Sequence, residues 1–103
     1  MAKYFNINDF YKTAIDCAID ADPRGRDIVE KELDIVKKDY EAIKDKRKKE
    51  CFDKDNLFNP YADSRILNIA EDKDIKKIFC GIDMQTAELL LADRLNEKKA
   101  KID

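Results

Sequence analysis

The apolar positions of the chain follow three successive patterns. From Phe10 to Ala21 they recur at helical spacing. Phe10, Ala14, Cys17 and Ala21 share one face, with Tyr11, Ile15 and Ala18 beside it. Asn6 and Asp9 stand three apart at the head of this pattern, close to a capping box, and Phe5 and Phe10 are spaced as a hydrophobic staple. The spacing predicts a first helix that starts there and buries Cys17 as a small hydrophobe.

Asp22-Pro23-Arg24-Gly25 has the residue preferences of a type I turn, and the same geometry serves as a helix start with Pro23 in the first turn. From Asp27, Val29, Leu33, Val36, Tyr40 and Ile43 run in steps of four and three, the seam of a helix that packs on another. The expectation is a long second helix, over by Phe52, whose partner is the first. Asp34 with Lys38 and Asp45 with Lys49 form ion pairs on its outer face, each adding a few tenths of a kcal/mol, ~0.3.

The third pattern is extended. Pro60 drives Asn59 toward extended geometry, so the helix is over before it; Asn59 to Ser64 is a loop, and Ile66, Leu67 and Ile69 read as a short strand. Glu71-Asp72-Lys73-Asp74 is a polar break. Ile78, Cys80 and Ile82 then alternate with Phe79 and Gly81, so both faces are apolar, as in a buried parallel strand. Gly81 admits a close backbone, and Asp83 reads as the N-cap of the next helix. Its other reading is a ligand-facing polar group at a strand's carboxyl end. Met84, Ala87, Leu91 and Leu95 form a stripe widened by Leu89, Leu90 and Ala92, so this helix wants neighbours on more than one side. Leu90 is expected buried, at roughly 1.5–3 kcal/mol.

The pattern therefore predicts an α/β chain: an N-terminal helical hairpin in residues 1–58, then a short strand pair and a strand-turn-helix unit in 59–103. No return strand has room after Ile102-Asp103, so the α/β domain reads as incomplete.

Composition narrows the function. Of 103 residues, 43% are charged and 44% hydrophobic, enough for a core with charges segregated to solvent. Twenty-one basic against 23 acidic residues leave a net charge of −2, which argues against a nucleic-acid partner. The basic run Lys44 to Lys49 reads as a solvated helix end. No apolar run approaches a membrane span, and the first residues lack a signal-peptide pattern, so no membrane partner is expected and the cytoplasm is the simplest setting.

Cys17, Cys51 and Cys80 form no C-x-x-C pair, and no base accompanies any of them. Histidine is absent, which removes the commonest metal ligand and the usual general base near neutral pH. No catalytic, cofactor or metal residue is assigned. Asp83, Asp63 and Arg65 remain as polar candidates, with a loop-fixing ion pair as the other reading of Asp63 and Arg65.

Asp22-Pro23-Arg24-Gly25, Asn59-Pro60-Tyr61-Ala62-Asp63-Ser64-Arg65-Ile66-Leu67, Gly81-Ile82-Asp83 and Ala87 to Asn96 together resemble the N-terminal part of the Nif-three family. This is the NGG-interacting-factor group, also labelled type-two GTP cyclohydrolase-like. The resemblance implies an oligomeric α/β protein with a pair of divalent metal ions and a metal-dependent hydrolase role. The family's first metal motif, two adjacent histidines before a proline, follows a strand that would begin at about Ile102. No metal ligand is therefore carried over to this chain, and Asp83 matches the family's Asp at the end of the first strand without being a ligand. The resemblance implies a structural segment, inactive alone, whose partner is the remainder of the α/β domain or another copy of the chain. The alternative is a small helical protein–protein interaction module.

Overall fold

A computed structural model describes residues 5–69, 71 and 73–103. It is helical: α1 spans Ile7–Asp20, α2 Arg26–Glu41, α3 Lys46–Glu50 and α4 Thr86–Glu97, with a 3-10 turn over Lys54–Leu57. The expected α/β architecture is not found. Among the described residues the one β interaction is an isolated antiparallel bridge between Phe5 and Ile75. Residues 78–82 lie in no strand, because an extended segment becomes one only when a neighbour completes its ladder. Ile82 is fully exposed and Ile78 nearly half exposed, so neither expected face is covered. The strand expected at Ile66, Leu67 and Ile69 is also missing, and Leu67 is 90% exposed. Asp72 of the polar break lies outside the described residues.

The chain divides into two units, Tyr11–Asn68 and Met1–Phe10 with Ile69–Asp103. The boundary expected after residue 58 falls inside the first.

The 11–68 unit is built on α1 and α2. Its enclosed apolar side chains are Ile15, Ile19, Val29 and Leu33, with Tyr11, Phe58 and Tyr61 packed against them. Tyr11, Ile15 and Ile19 repeat every four residues, so the inward stripe of α1 lies one position away from the expected Phe10-Ala14-Cys17 face. Cys17 is exposed, contrary to expectation. Larger β-branched side chains bury more area than alanine and cysteine, and they set the rotation of the helix. The seam of α2 is as the spacing predicts: Val29 and Leu33 are buried, and Val36, Tyr40 and Ile43 are half-buried.

The turn before α2 also follows the sequence. Gly25 N–H donates to Asp22 O at 3.0 Å, while the Asp22 carboxylate accepts from Arg24 N–H at 2.9 Å. The helix itself begins only at Arg26, after Gly25 at φ 86°, a backbone conformation that a side chain would strain. Arg26 then joins the two helices, reaching Asp20 at 2.6 Å, Asp16 at 2.9 Å and Glu30 at 3.5 Å.

The second helix is shorter than expected. It stops at Glu41, and Asp45 starts α3 by accepting from Arg47 N–H at 2.9 Å and Lys48 N–H at 3.3 Å. Aspartate is a strong cap, and a capping side chain turned to the backbone is lost to ion pairing. No ion pair joins Asp45 to Lys49, or Asp34 to Lys38, among the described residues. Lys49 instead sits 5.0 Å over the Tyr40 ring, which packs on Phe52 at 4.9 Å.

In the other unit, Asn6 Oδ1 accepts from Asp9 N–H at 2.8 Å, the cap expected for α1. Phe5 and Phe10 are each 42% exposed. The α4 cap is Gln85 rather than Asp83: Gln85 N–H donates to Glu88 Oε2 at 2.9 Å, as in a capping box. At its far end Ala100 N–H reaches Leu95 O at 3.0 Å and Lys99 N–H reaches Asn96 O at 2.9 Å, with Lys99 at φ 67°. This is a Schellman ending with lysine where glycine is usual.

Candidate functional site

Asp83 belongs to one unit and Asp63 and Arg65 to the other, where no ion pair joins Asp63 to Arg65. Asp83 is exposed in a bend and does not cap α4, and Asp63 is exposed. Arg65 pairs with Asp53 at 2.6 Å and Asp55 at 3.7 Å, both from the segment around the 3-10 turn. Asp53 also accepts from Asp55 N–H at 3.2 Å, so this ion pair fixes the turn.

The polar centre of the 11–68 unit lies elsewhere, around Asn59, the one buried polar residue among those described, 5% exposed. Its amide donates to Tyr11 Oη and to Ser64 O, each at 2.7 Å, and its Oδ1 accepts from Tyr61 N–H at 2.8 Å. The Tyr61 hydroxyl donates to Asp22 Oδ2 at 2.8 Å, and Arg24 grips the same carboxylate through Nε at 3.1 Å and Nη2 at 2.9 Å. Arg24 holds Asp22 well below the usual carboxylate range, and burial pushes Tyr61 up. A loop with few apolar groups is thus held on a helical hairpin by satisfied hydrogen bonds, which uses these side chains structurally. The sequence signals were Asn59 and Asp22, each a short polar residue before proline; what they lacked was any sign that the two turns share a tyrosine.

Two surfaces of this chain are left without an internal role. The first is α4, none of whose residues is buried. Leu89, Leu90 and Leu91 are 63, 59 and 51% exposed, so the expectation that Leu90 is enclosed does not hold. Glu88, Ala92 and Leu95 are its least exposed positions; Leu95 belongs to the expected stripe and Ala92 to its widening, while Glu88 belongs to neither. Three consecutive leucines point to three sides of a helix, so its apolar character is spread around it and one neighbour covers only part.

The second surface is a cleft of about 420 Å³ between α2 and the segment from Phe52 to Pro60, lined by Leu33, Val36, Phe52 and Pro60 together with the polar Glu32, Asp39, Asn56 and Asn59.

Among the described residues no three Cys, Asp or Glu side chains are grouped to hold a metal ion. No helix is long and apolar enough to cross a membrane among those residues. The chain matches none of the family models, curated proteins or solved structures with which it was compared.

Proposed function

We propose that the chain is a small helical protein–protein interaction module, with α4 as its docking element and a second copy of the chain as its partner. The observation that carries this reading is the exposure of Leu89, Leu90 and Leu91 on a helix with no buried residue. Each leucine removed from water on association contributes, and a partner set against Leu91 covers the part of α4 nearest to it.

Charge supports self-pairing. An antiparallel pairing of two copies across Leu91 sets the two helix dipoles in opposition. Cys17, Cys51 and Cys80 are free thiols, which a reducing setting such as the cytoplasm would keep so. Sedimentation of the purified chain tests the proposal. Dimers that Leu91→Asp dissociates, with helicity unchanged, support it; a monomer at every concentration overturns it.

The reading drawn from the Nif-three resemblance, a structural segment of a metal-dependent hydrolase that is inactive alone, rests on the motifs quoted above. Divalent metal would then be held by ligands outside this chain.

A further inference from the structure

The segment that follows α4 turns back and closes a polar clasp. Asn96 Oδ1 accepts from Ile102 N–H at 2.7 Å, and the Asn96 amide donates to Ile102 O at 3.1 Å. Asp103 N–H donates to Lys77 O at 3.0 Å. The Asp103 carboxylate, only 17% exposed, accepts from Lys76 N–H at 2.7 Å and Lys77 N–H at 2.9 Å and pairs with Lys73 at 3.2 Å. Lys77 Nζ donates to Ala100 O. The return runs through Lys99 at φ 67° and Lys101 at φ 57°, two left-handed residues that carry a β-carbon, so the bonds of the clasp hold a backbone that the chain would otherwise avoid.

The other end of α4 has no such anchor. Residues 78–84 make no hydrogen bond or ion pair among the described residues, and Ile82 is fully exposed. No described residue of the unit formed by 5–10 and 69–103 is buried, so no enclosed core fixes the helix in its place. The polar bonds between 96–103 and 73–77 carry that task.

We infer that this clasp is the positioning device of the α4 docking face, an inference that rests on the pairing of two copies proposed above. Closed, it presents Leu89, Leu90 and Leu91 from a fixed helix; opened, it leaves α4 attached through 78–84. A helix that has to be ordered as it docks loses affinity by the entropy of that ordering, and a helix already fixed does not. Asp103 and Asn96 thus act on association as positioning residues, with no contact to the partner copy required.

Sedimentation equilibrium of the full chain, native and Asp103→Ala, combined with amide hydrogen exchange at Lys76 and Lys77, tests the inference. Asp103→Ala should keep its helical circular dichroism, exchange faster at both amides and pair about tenfold more weakly. Asp103→Asn, which retains an oxygen for the two amides, should recover most of that loss. Should Asp103→Ala lose helicity, Lys73→Gln breaks the ion pair without removing the amide acceptor and should weaken pairing by about two- to threefold. Pairing by Asp103→Ala as tight as in the native chain, weak pairing with Lys76 and Lys77 still protected, or no recovery in Asp103→Asn would each overturn the clasp and leave the pairing of copies standing. A native chain that is monomeric at every concentration would overturn the pairing and this inference with it.

Discussion

The Asn59 amide donates to the Tyr11 hydroxyl across 48 positions of sequence, at 2.7 Å, and this bond ties the proline loop to the first helix. The same hydroxyl faces Asp55 at 3.5 Å, so one phenol serves two segments. With only four enclosed apolar side chains in the unit, polar geometry sets where the loop sits.

Asn59→Ala should therefore destabilise the 11–68 unit by about 1–3 kcal/mol, because the part-buried Tyr61 N–H and Ser64 O lose their partner. Urea denaturation followed by helical circular dichroism measures it. A loss below the uncertainty of the fit would show that water replaces the side chain without cost.

The core and the exposed helix should respond in opposite ways. Val29 is fully enclosed, and Val29→Ala should cost about 2–3 kcal/mol through lost transfer energy and a cavity. Leu90→Lys, at 59% exposure, should leave the thermal midpoint close to the native value at dilutions where the chain is a monomer. Similar losses from the two substitutions would mean that α4 is covered within the chain.

Lys99 closes α4 in the left-handed region at φ 67°, where a β-carbon is unfavourable. Lys99→Gly should stabilise the chain by about 1 kcal/mol, measured by denaturant titration. A destabilisation would show that the lysine side chain makes a compensating contact.

Acid should loosen both units. The Asp103 carboxylate accepts from Lys76 N–H at 2.7 Å and Lys77 N–H at 2.9 Å and pairs with Lys73 at 3.2 Å. Those amides, with Lys73, lower it from 3.8 to about 2, and Arg24 lowers Asp22 in the same direction. A carboxylate whose folded value is depressed contributes its full stability above the unfolded value and loses it as pH falls toward the folded one. Stability should decline below about pH 4, and Asp103→Asn should flatten that decline. An Asp103→Asn variant with the native acid profile would contradict the assignment.

Helices were legible in the sequence where apolar spacing was long and uninterrupted. The Val29-Leu33-Val36-Tyr40-Ile43 seam and the Asn6 cap are where the pattern puts them. The rotation of α1 was not, because Ala14 and Cys17 look apolar in a pattern but lose to Ile15 and Ile19 in buried area. The break after Glu41 was hidden because Asp45 reads equally as a helix-surface acid and as a cap, and only the backbone decides. The strand expected at 78–82 does not form, because local alternation cannot reveal whether a neighbouring strand exists. Gly81 shows the same limit: what a β-carbon there would meet, at 2.5 Å, is the Met84 sulfur and not a backbone. Asp39 and Asn56 could not be singled out as cleft residues, since their relation depends on how the Phe52–Pro60 segment returns along α2.

Sedimentation equilibrium of the native chain beside Leu91→Asp tests the central claim most directly. The native chain should show a concentration-dependent mass approaching twice 12.0 kDa, and the variant the single-chain mass at matched helicity. A native chain that stays at the single-chain mass into the millimolar range, or a Leu91→Asp variant that dimerises equally well, would contradict it.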